Sequence, residues 1–270
     1  MPAVAGPRVH WVSVGAIAVL AAFILAVLVL VAADLLYAKP GTILRVLAKP
    51  EVRHAIYLSL VTTSITLVLV IAVSVPAGYA LSRYRFPGSV VLDAIVDMPV
   101  VLPPVVVGVS LLVFFRTSAG QWIESLPGLQ FVYTVQGIVL CQFFLSASFA
   151  IRAAKASFDG IDRRLEHLAL TLGCTRGQAF FRVSLPMARN GLAAGAVMAW
   201  ARAIGVFSPV YVLAGAVRMK TELMPTTVWL ELSIGQIEPA LAVSILMVII
   251  SMVALVAIHL LGQAHRWWGT

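Results

Sequence analysis

Between Trp11 and Ala33 the chain runs 23 residues without a charge, almost all of them apolar. About 20 such residues suffice for a helix to cross a bilayer. Five further apolar blocks follow, so that six spans are expected, at about residues 12–33, 55–81, 90–115, 134–154, 191–214 and 239–262. Hydrophobic residues make up 61% of the 270 and charged residues only 11%, where a soluble domain carries about 25% charged. The blocks do not alternate as the strands of a membrane β-barrel do. The expected fold class is therefore an all-α integral membrane protein of about six transmembrane helices.

A signal peptide has an apolar core of about 7–15 residues. The first run is longer, so it is read as an uncleaved first helix, with cleavage after Ala32-Ala33 as the alternative. Two units are drawn: residues 1–53, holding the first helix and an outer loop, and residues 54–264, holding five spans and a charged loop at 155–190.

The net charge of +8 suggests nucleic acid in a soluble protein, but in a membrane protein it follows from basic cytoplasmic loops. No nucleic-acid partner is expected. With both termini inside, the inner loops hold Arg8, Arg83, Arg85, Arg152, Lys155, Arg163, Arg164, Arg176, Arg182, Arg189 and Arg266. The outer loops hold fewer basic residues: Lys39, Arg45, Lys49, Arg53, Arg116, Arg218 and Lys220. They also hold Asp34, Glu51, Glu124, Glu222, Glu231 and Glu238.

The loop at 155–190 carries the most local information. Asp162 is placed to cap a helix whose apolar residues Leu165, Leu168, Ala169 and Leu172 repeat on one side. Gly173 suits the position just past its end. Thr175 and Gln178 have capping-box spacing for a second helix, which Pro186 is expected to end. Such a helical pair could rest on the bilayer, read DNA, or dock a cytoplasmic protein through its apolar stripe. Tethering at both ends makes a poor groove reader.

The same loop resembles the cytoplasmic signature of bacterial ABC importer permeases: Glu-Ala-Ala, three residues, Gly, nine residues, Ile, any residue, Leu-Pro. Gly173, nine residues, then Val183-Ser184-Leu185-Pro186 follows it. His167-Leu168-Ala169 stands where Glu-Ala-Ala is usual, with Glu166 one place earlier. The resemblance covers about residues 54–262. Asp97-Met98-Pro99-Val100-Val101-Leu102-Pro103-Pro104 with Val107-Gly108 looks like the third span of molybdate- and tungstate-type permeases, and Arg85-Phe86-Pro87-Gly88 resembles the turn before it. Ala201-Arg202-Ala203-Ile204-Gly205 resembles the fifth span, but Val206-Phe207-Ser208-Pro209 replaces the usual Glu-Phe-Gly-Ala.

The resemblance implies an ATP-driven importer subunit working by alternating access. It implies an ABC ATPase subunit that binds ATP and Mg, an extracytoplasmic solute-binding protein and a second permease copy. Glu166, His167, Ala169, Gly173, Val183, Leu185 and Pro186 would lie at the ATPase-coupling loop. Permeases for sulfate or another small solute are the near alternative. A gradient-driven carrier is the distant one, and it would show inverted repeats that this chain lacks.

Charges inside spans are costly and often functional. Arg202 reads either as a pathway residue or as the partner of a carboxylate such as Asp97, or of helix carbonyls. Asp93 and Asp97 lie near the start of the third span, where a helix N-terminus favours acids. Pro99, Pro103 and Pro104 withhold backbone donors, giving either a broken helix along a pathway or a plain kink. The pathway candidates are Asp97, Pro103, Pro104, Arg202, Phe207 and Ser208. Gly191 and Gly195 form a small-residue face for close helix packing. The chain contains no Gly-x4-Gly-Lys-Ser/Thr loop, so ATP chemistry is assigned to another subunit. The five histidines are scattered, and no metal site is expected.

Overall fold

The computed structural model describes residues 11–37, 40–84 and 88–263. Arg8, Lys39, Arg85-Phe86-Pro87 and His265-Arg266 lie outside the described residues, as do the ends on which the orientation of the termini rests.

Proline punctuates the chain. It lacks the N–H that the first helical turn leaves unpaired in any case, so it starts helices well. Helix α1 (Trp11–Tyr37) and α2 (Pro40–Ala48) lead to α3 (Pro50–Arg83), with Pro50 in its opening turn. Next come α4 (Ser89–Val101), α5 (Pro104–Arg116), α6 (Ser118–Glu124) and α7 (Val135–Asp159). The loop helices are α8 (Arg163–Thr171) and α9 (Arg176–Ala179), followed by a π-helical turn at Phe180–Ser184. Then α10 (Leu185–Ile204), α11 (Ser208–Leu213), α12 (Met224–Ser233) and α13 (Ile237–Gln263) complete the order. Pro104, Pro186, Pro209 and Pro225 each stand in the first turn of their helix. Among the described residues there is no strand.

Among the described residues, four helices are long and apolar enough to cross a membrane, within Val14–Asp34, Pro50–Arg83, Val135–Asp159 and Ile237–Val256. The expected third span is instead two helices, α4 and α5, bent by 108° at Leu102-Pro103. The expected fifth span, 191–214, is not continuous. Helix α10 stops at Ile204 and α11 restarts at Ser208, because Gly205 caps one helix and Pro209 opens the next. Helix α10 is not among the four apolar helices; Arg189, Asn190 and Arg202 dilute its apolar run. The boundary drawn at residues 53/54 falls inside α3, whose Val52 packs with Val46, Met224 and Val243.

The core is α3 against α7 against α10. Small residues allow that closeness. A Cβ on Gly78 would meet that of Ala154 at 2.5 Å, and one on Gly195 that of Ala153 at 2.6 Å. Gly191 lies as tightly against Ser157. The small-residue face of α10 thus serves packing within the subunit. Buried Thr62, Thr63, Thr66 and Ser146 hydrogen-bond to helix carbonyls or to Gln142, so polar groups inside the bundle are met there.

Helix α3 also sets the two ends of the molecule apart. At one end the backbone N–H of Met224 donates to Ser59 Oγ (2.9 Å); at the other Arg83 meets the 155–190 loop. At 1.5 Å per residue, Ser59 and Arg83 stand about 36 Å apart, more than the hydrocarbon thickness of about 30 Å. That length suffices to set the two ends on opposite sides of a bilayer.

Candidate functional site

The loop between α7 and α10 is a set of local devices locked to the bundle. Asp162 accepts the N–H of Arg164 (2.9 Å) and starts α8. At its end Gly173 takes φ +89°, a left-handed conformation that suits glycine. The Gly173 N–H donates to Leu170 O (3.0 Å) and the Cys174 N–H to Ala169 O (3.0 Å), closing the helix. Thr175 and Gln178 form a reciprocal capping box.

Pro186 does not end the second helix as expected. The ladder widens at Phe180–Ser184, where the Leu185 N–H reaches back to Phe180 O, and the chain continues into α10. The π turn makes room for a ring that would clash in a regular helix.

Glu166 pins this unit. It accepts from Arg83 Nε (2.7 Å), Ser184 Oγ (2.7 Å) and Tyr79 OH (3.1 Å), so α8, α3 and the π turn meet on one carboxylate. The side chains of Arg83 and Glu166 are 6% and 13% exposed, which makes this a largely buried pair. Burial alone would raise the Glu166 carboxyl. The hydrogen bonds from Ser184 and Arg83, the Arg83 charge and the Tyr79 hydroxyl outweigh it and hold the group below the usual glutamate value. Arg83 also donates to Ile161 O (3.1 Å), and Arg163 to Ser82 O. Tyr79 stacks edge-on against Phe158 and Phe180, at 5.3 and 4.7 Å between ring centres.

The opposite side of α8 has no cover. Leu168 is 57% and Leu172 85% exposed, and Leu165 and Phe181 join them. Ala169, counted in the same stripe, turns inward and is buried. Among the other loop candidates, His167, Gly173 and Pro186 are exposed, while Val183 and Leu185 are half-buried. Glu166 faces the bundle.

The pathway candidates fall in two places. Asp97 forms an ion pair with Arg152, and one turn before it Asp93 binds Lys155 Nζ (2.8 Å). The proposed pairing of Asp97 with Arg202 is not found. Arg202 instead sits exposed with its guanidinium 5.6 Å from the centre of the Phe149 ring. Arg152 and Lys155 were counted in the loop, but α7 runs to Asp159 and carries both opposite α4.

Two helix breaks lie side by side. Leu102, next to Pro103 and Pro104, and Val206, next to Phe207, belong to one apolar cluster with Val107, Cys141 and Val210. A Cβ on Gly108 would sit 2.6 Å from Pro209 Cα, so α5 and α11 touch backbone to backbone. Ser208 is half-buried, and Phe207 packs with Tyr211 and Trp229 at 5.7 and 5.8 Å.

The segment from Arg218 to Glu238 stands out in the sequence as polar and acidic, but the burial of its acids does not. Glu222 is wholly buried; its Oε1 accepts from Thr227 (3.0 Å) and its Oε2 has no partner among the described residues. Burial pushes its carboxyl up. Glu231 takes Arg218 (2.9 Å) on one oxygen and leaves the other unpaired. The acidity of this segment was the available signal. Among the described residues no three metal-ligating side chains converge.

A bundle of apolar helices, one sharply bent pair among them, with a capped loop exposing apolar side chains outside the bundle, defines a multi-pass membrane protein. Residues 71–267 match the binding-protein-dependent transport system inner membrane component family, and the chain belongs to it. The molybdate/tungstate transport system permease protein WtpB of Thermococcus kodakarensis is 40% identical over 172 residues. That match covers 64% of this chain and 65% of the relative, so the chain spans just under two thirds of that protein's length. The molybdenum transport system permease protein ModB of Escherichia coli is 30% identical over 82% of this chain and 97% of its own. The sulfate transport system permease protein CysT of Escherichia coli is 29% identical over 80% of this chain and 78% of its own. A bacterial alginate ABC transporter, solved with its alginate-bound periplasmic protein, shares the fold at a TM-score of 0.70 and 16% identity, over 93% of this chain and 96% of that one.

Proposed function

We propose that this chain is the permease subunit of an ATP-driven ABC importer for a small oxyanion, molybdate or tungstate. The observation that carries the coupling half of this reading is the uncovered apolar face of α8 and the π turn, held rigid by Glu166. Leu165, Leu168, Leu172 and Phe181 would seat on a cytoplasmic ATPase subunit that binds ATP and Mg. In this reading His167 and Gly173 flank the contact. Ala169, Val183, Leu185 and Pro186 shape the turn behind it, and Glu166 fixes the loop to α3. The loop end then faces the cytoplasm, as its arginines suggest. The 217–236 end faces outward, towards a solute-binding protein.

Two copies would line the pathway. The paired breaks at Leu102-Pro103 and Gly205–Phe207 give a place where backbone can line a cavity within the membrane. Pro103, Pro104, Phe207 and Ser208 stand at those breaks, and Asp97 and Arg202 stand on the helices that lead into them. ATP closure would draw the two loops together and turn the bundle outward; hydrolysis would return it. Such a bundle needs two states with a differential preference for the nucleotide-bound partner.

The relatives named for molybdate or tungstate support the solute class, and the family match favours this reading over a gradient-driven carrier. The likeness to the sulfate permease supports the second reading. ATP hydrolysis by the reconstituted complex, with its binding protein loaded in turn with molybdate, tungstate or sulfate, separates them. Stimulation by molybdate or tungstate alone is expected. Stimulation by sulfate alone would replace the solute assignment, and no stimulation by any of the three would remove the oxyanion class.

A further inference from the structure

A cavity of 290 Å³ opens between the end of α3, the flank of α8 and the start of α9. Its walls include Arg83, Tyr84, Arg163, Glu166, His167 and Arg176. Arg83 and Glu166 neutralise each other. Arg163 donates to the neutral carbonyl of Ser82 and forms no salt bridge among the described residues. The Arg176 side chain has no hydrogen bond or ion pair among the described residues. Two guanidinium groups therefore share a cavity without a salt bridge among the described residues, beside His167 and the Tyr84 hydroxyl, while its one carboxylate, Glu166, is taken by Arg83. Guanidinium forks match the geometry of phosphate oxygens.

The position narrows the ligand class. The cavity lies where α3 ends, and Tyr84 is half-exposed there, as tyrosines are at the headgroup level of a bilayer. Basic pockets at that level hold lipid headgroups. At 100° per residue, Arg163, Glu166, His167 and Leu170 point about 180° around α8 from Leu165, Leu168 and Leu172. The cavity thus lies on the side of α8 away from the leucines, with His167 at its edge.

We propose that this cavity binds a phosphate-bearing anion, either the headgroup of an acidic phospholipid or free phosphate, and so clamps α8 to the end of α3. The proposal depends on neither the ATPase contact nor the transported solute.

Native mass spectrometry of the purified full chain tests it, with phosphatidylglycerol, phosphatidylcholine and inorganic phosphate as probes. Wild type is expected to hold phosphatidylglycerol over phosphatidylcholine, with Arg176→Gln and Arg163→Gln each weakening it about tenfold, as loss of one charge-assisted contact does. Insensitivity of that lipid to millimolar phosphate assigns the site to the headgroup, and its displacement assigns it to free phosphate. Arg176 is exposed and unpaired, so its variant keeps the wild-type melting temperature. Equal retention of both lipids by wild type and variants, with no binding of phosphate, would overturn the proposal.

Discussion

Glu166 shows how one carboxylate can make a loop into a part of the bundle. Its three donors come from α3 and from the turn that precedes α10. Replacing Arg83 by Ala strands that carboxylate, and breaking a buried pair from one side costs about 3 kcal/mol; a clear fall in melting temperature in detergent is the check. The sign of the pH effect follows from the lowered Glu166 carboxyl. Its contribution is full above the ordinary glutamate value and is lost as pH falls through the folded one. The advantage of wild type over Glu166→Gln should therefore be present at neutral pH and vanish in acid. Glu222 has the opposite sign. Its carboxyl is raised by burial, so its contribution holds at low pH and is lost as pH rises. Glu222→Gln should melt at or above the wild-type temperature at pH 8, and a large loss there would contradict the burial argument. At this scale the sequence is legible where partners are neighbours: Asp162, Gly173 and the Thr175/Gln178 box all sit as their spacing implies. It is not legible for Asp97, whose partner Arg152 is 55 residues away and is set by the register of α4 on α7.

Among the elements, the breaks matter more than the spans. Apolar runs announce a membrane helix but not where it stops, and the expected fifth span runs straight across Gly205 to Phe207. Pro209 marks a helix start in the sequence, and its contact with Gly108 shows that α11 closes against α5. Gly108→Val would force the two backbones apart. Overpacking of this kind costs about 1–3 kcal/mol, and at the junction of two broken helices it should cut solute uptake about tenfold or more while the complex still assembles. Uptake into vesicles, beside size-exclusion of the purified complex, reads both. Pro186 teaches the same lesson from the other side: a proline that ordinarily ends a helix is accommodated because the preceding turn widens.

At the scale of the molecule, α3 separates two unlike ends. One end is an apolar-faced loop in a basic setting; the other is a short helical segment with buried acids. Family membership and the fold make this the membrane component of a binding-protein-dependent transport system. We propose that a partner ATPase acts on the bundle through the exposed leucines of α8. The most direct measurement is affinity purification of the full chain from its host, wild type against Leu168→Asp/Leu172→Asp. Both positions are exposed, so the variant should keep its fold and melting temperature. The account predicts that wild type carries a stoichiometric P-loop ATPase and that the variant carries almost none. Equal ATPase on both proteins, or none on wild type after mild crosslinking, would contradict it.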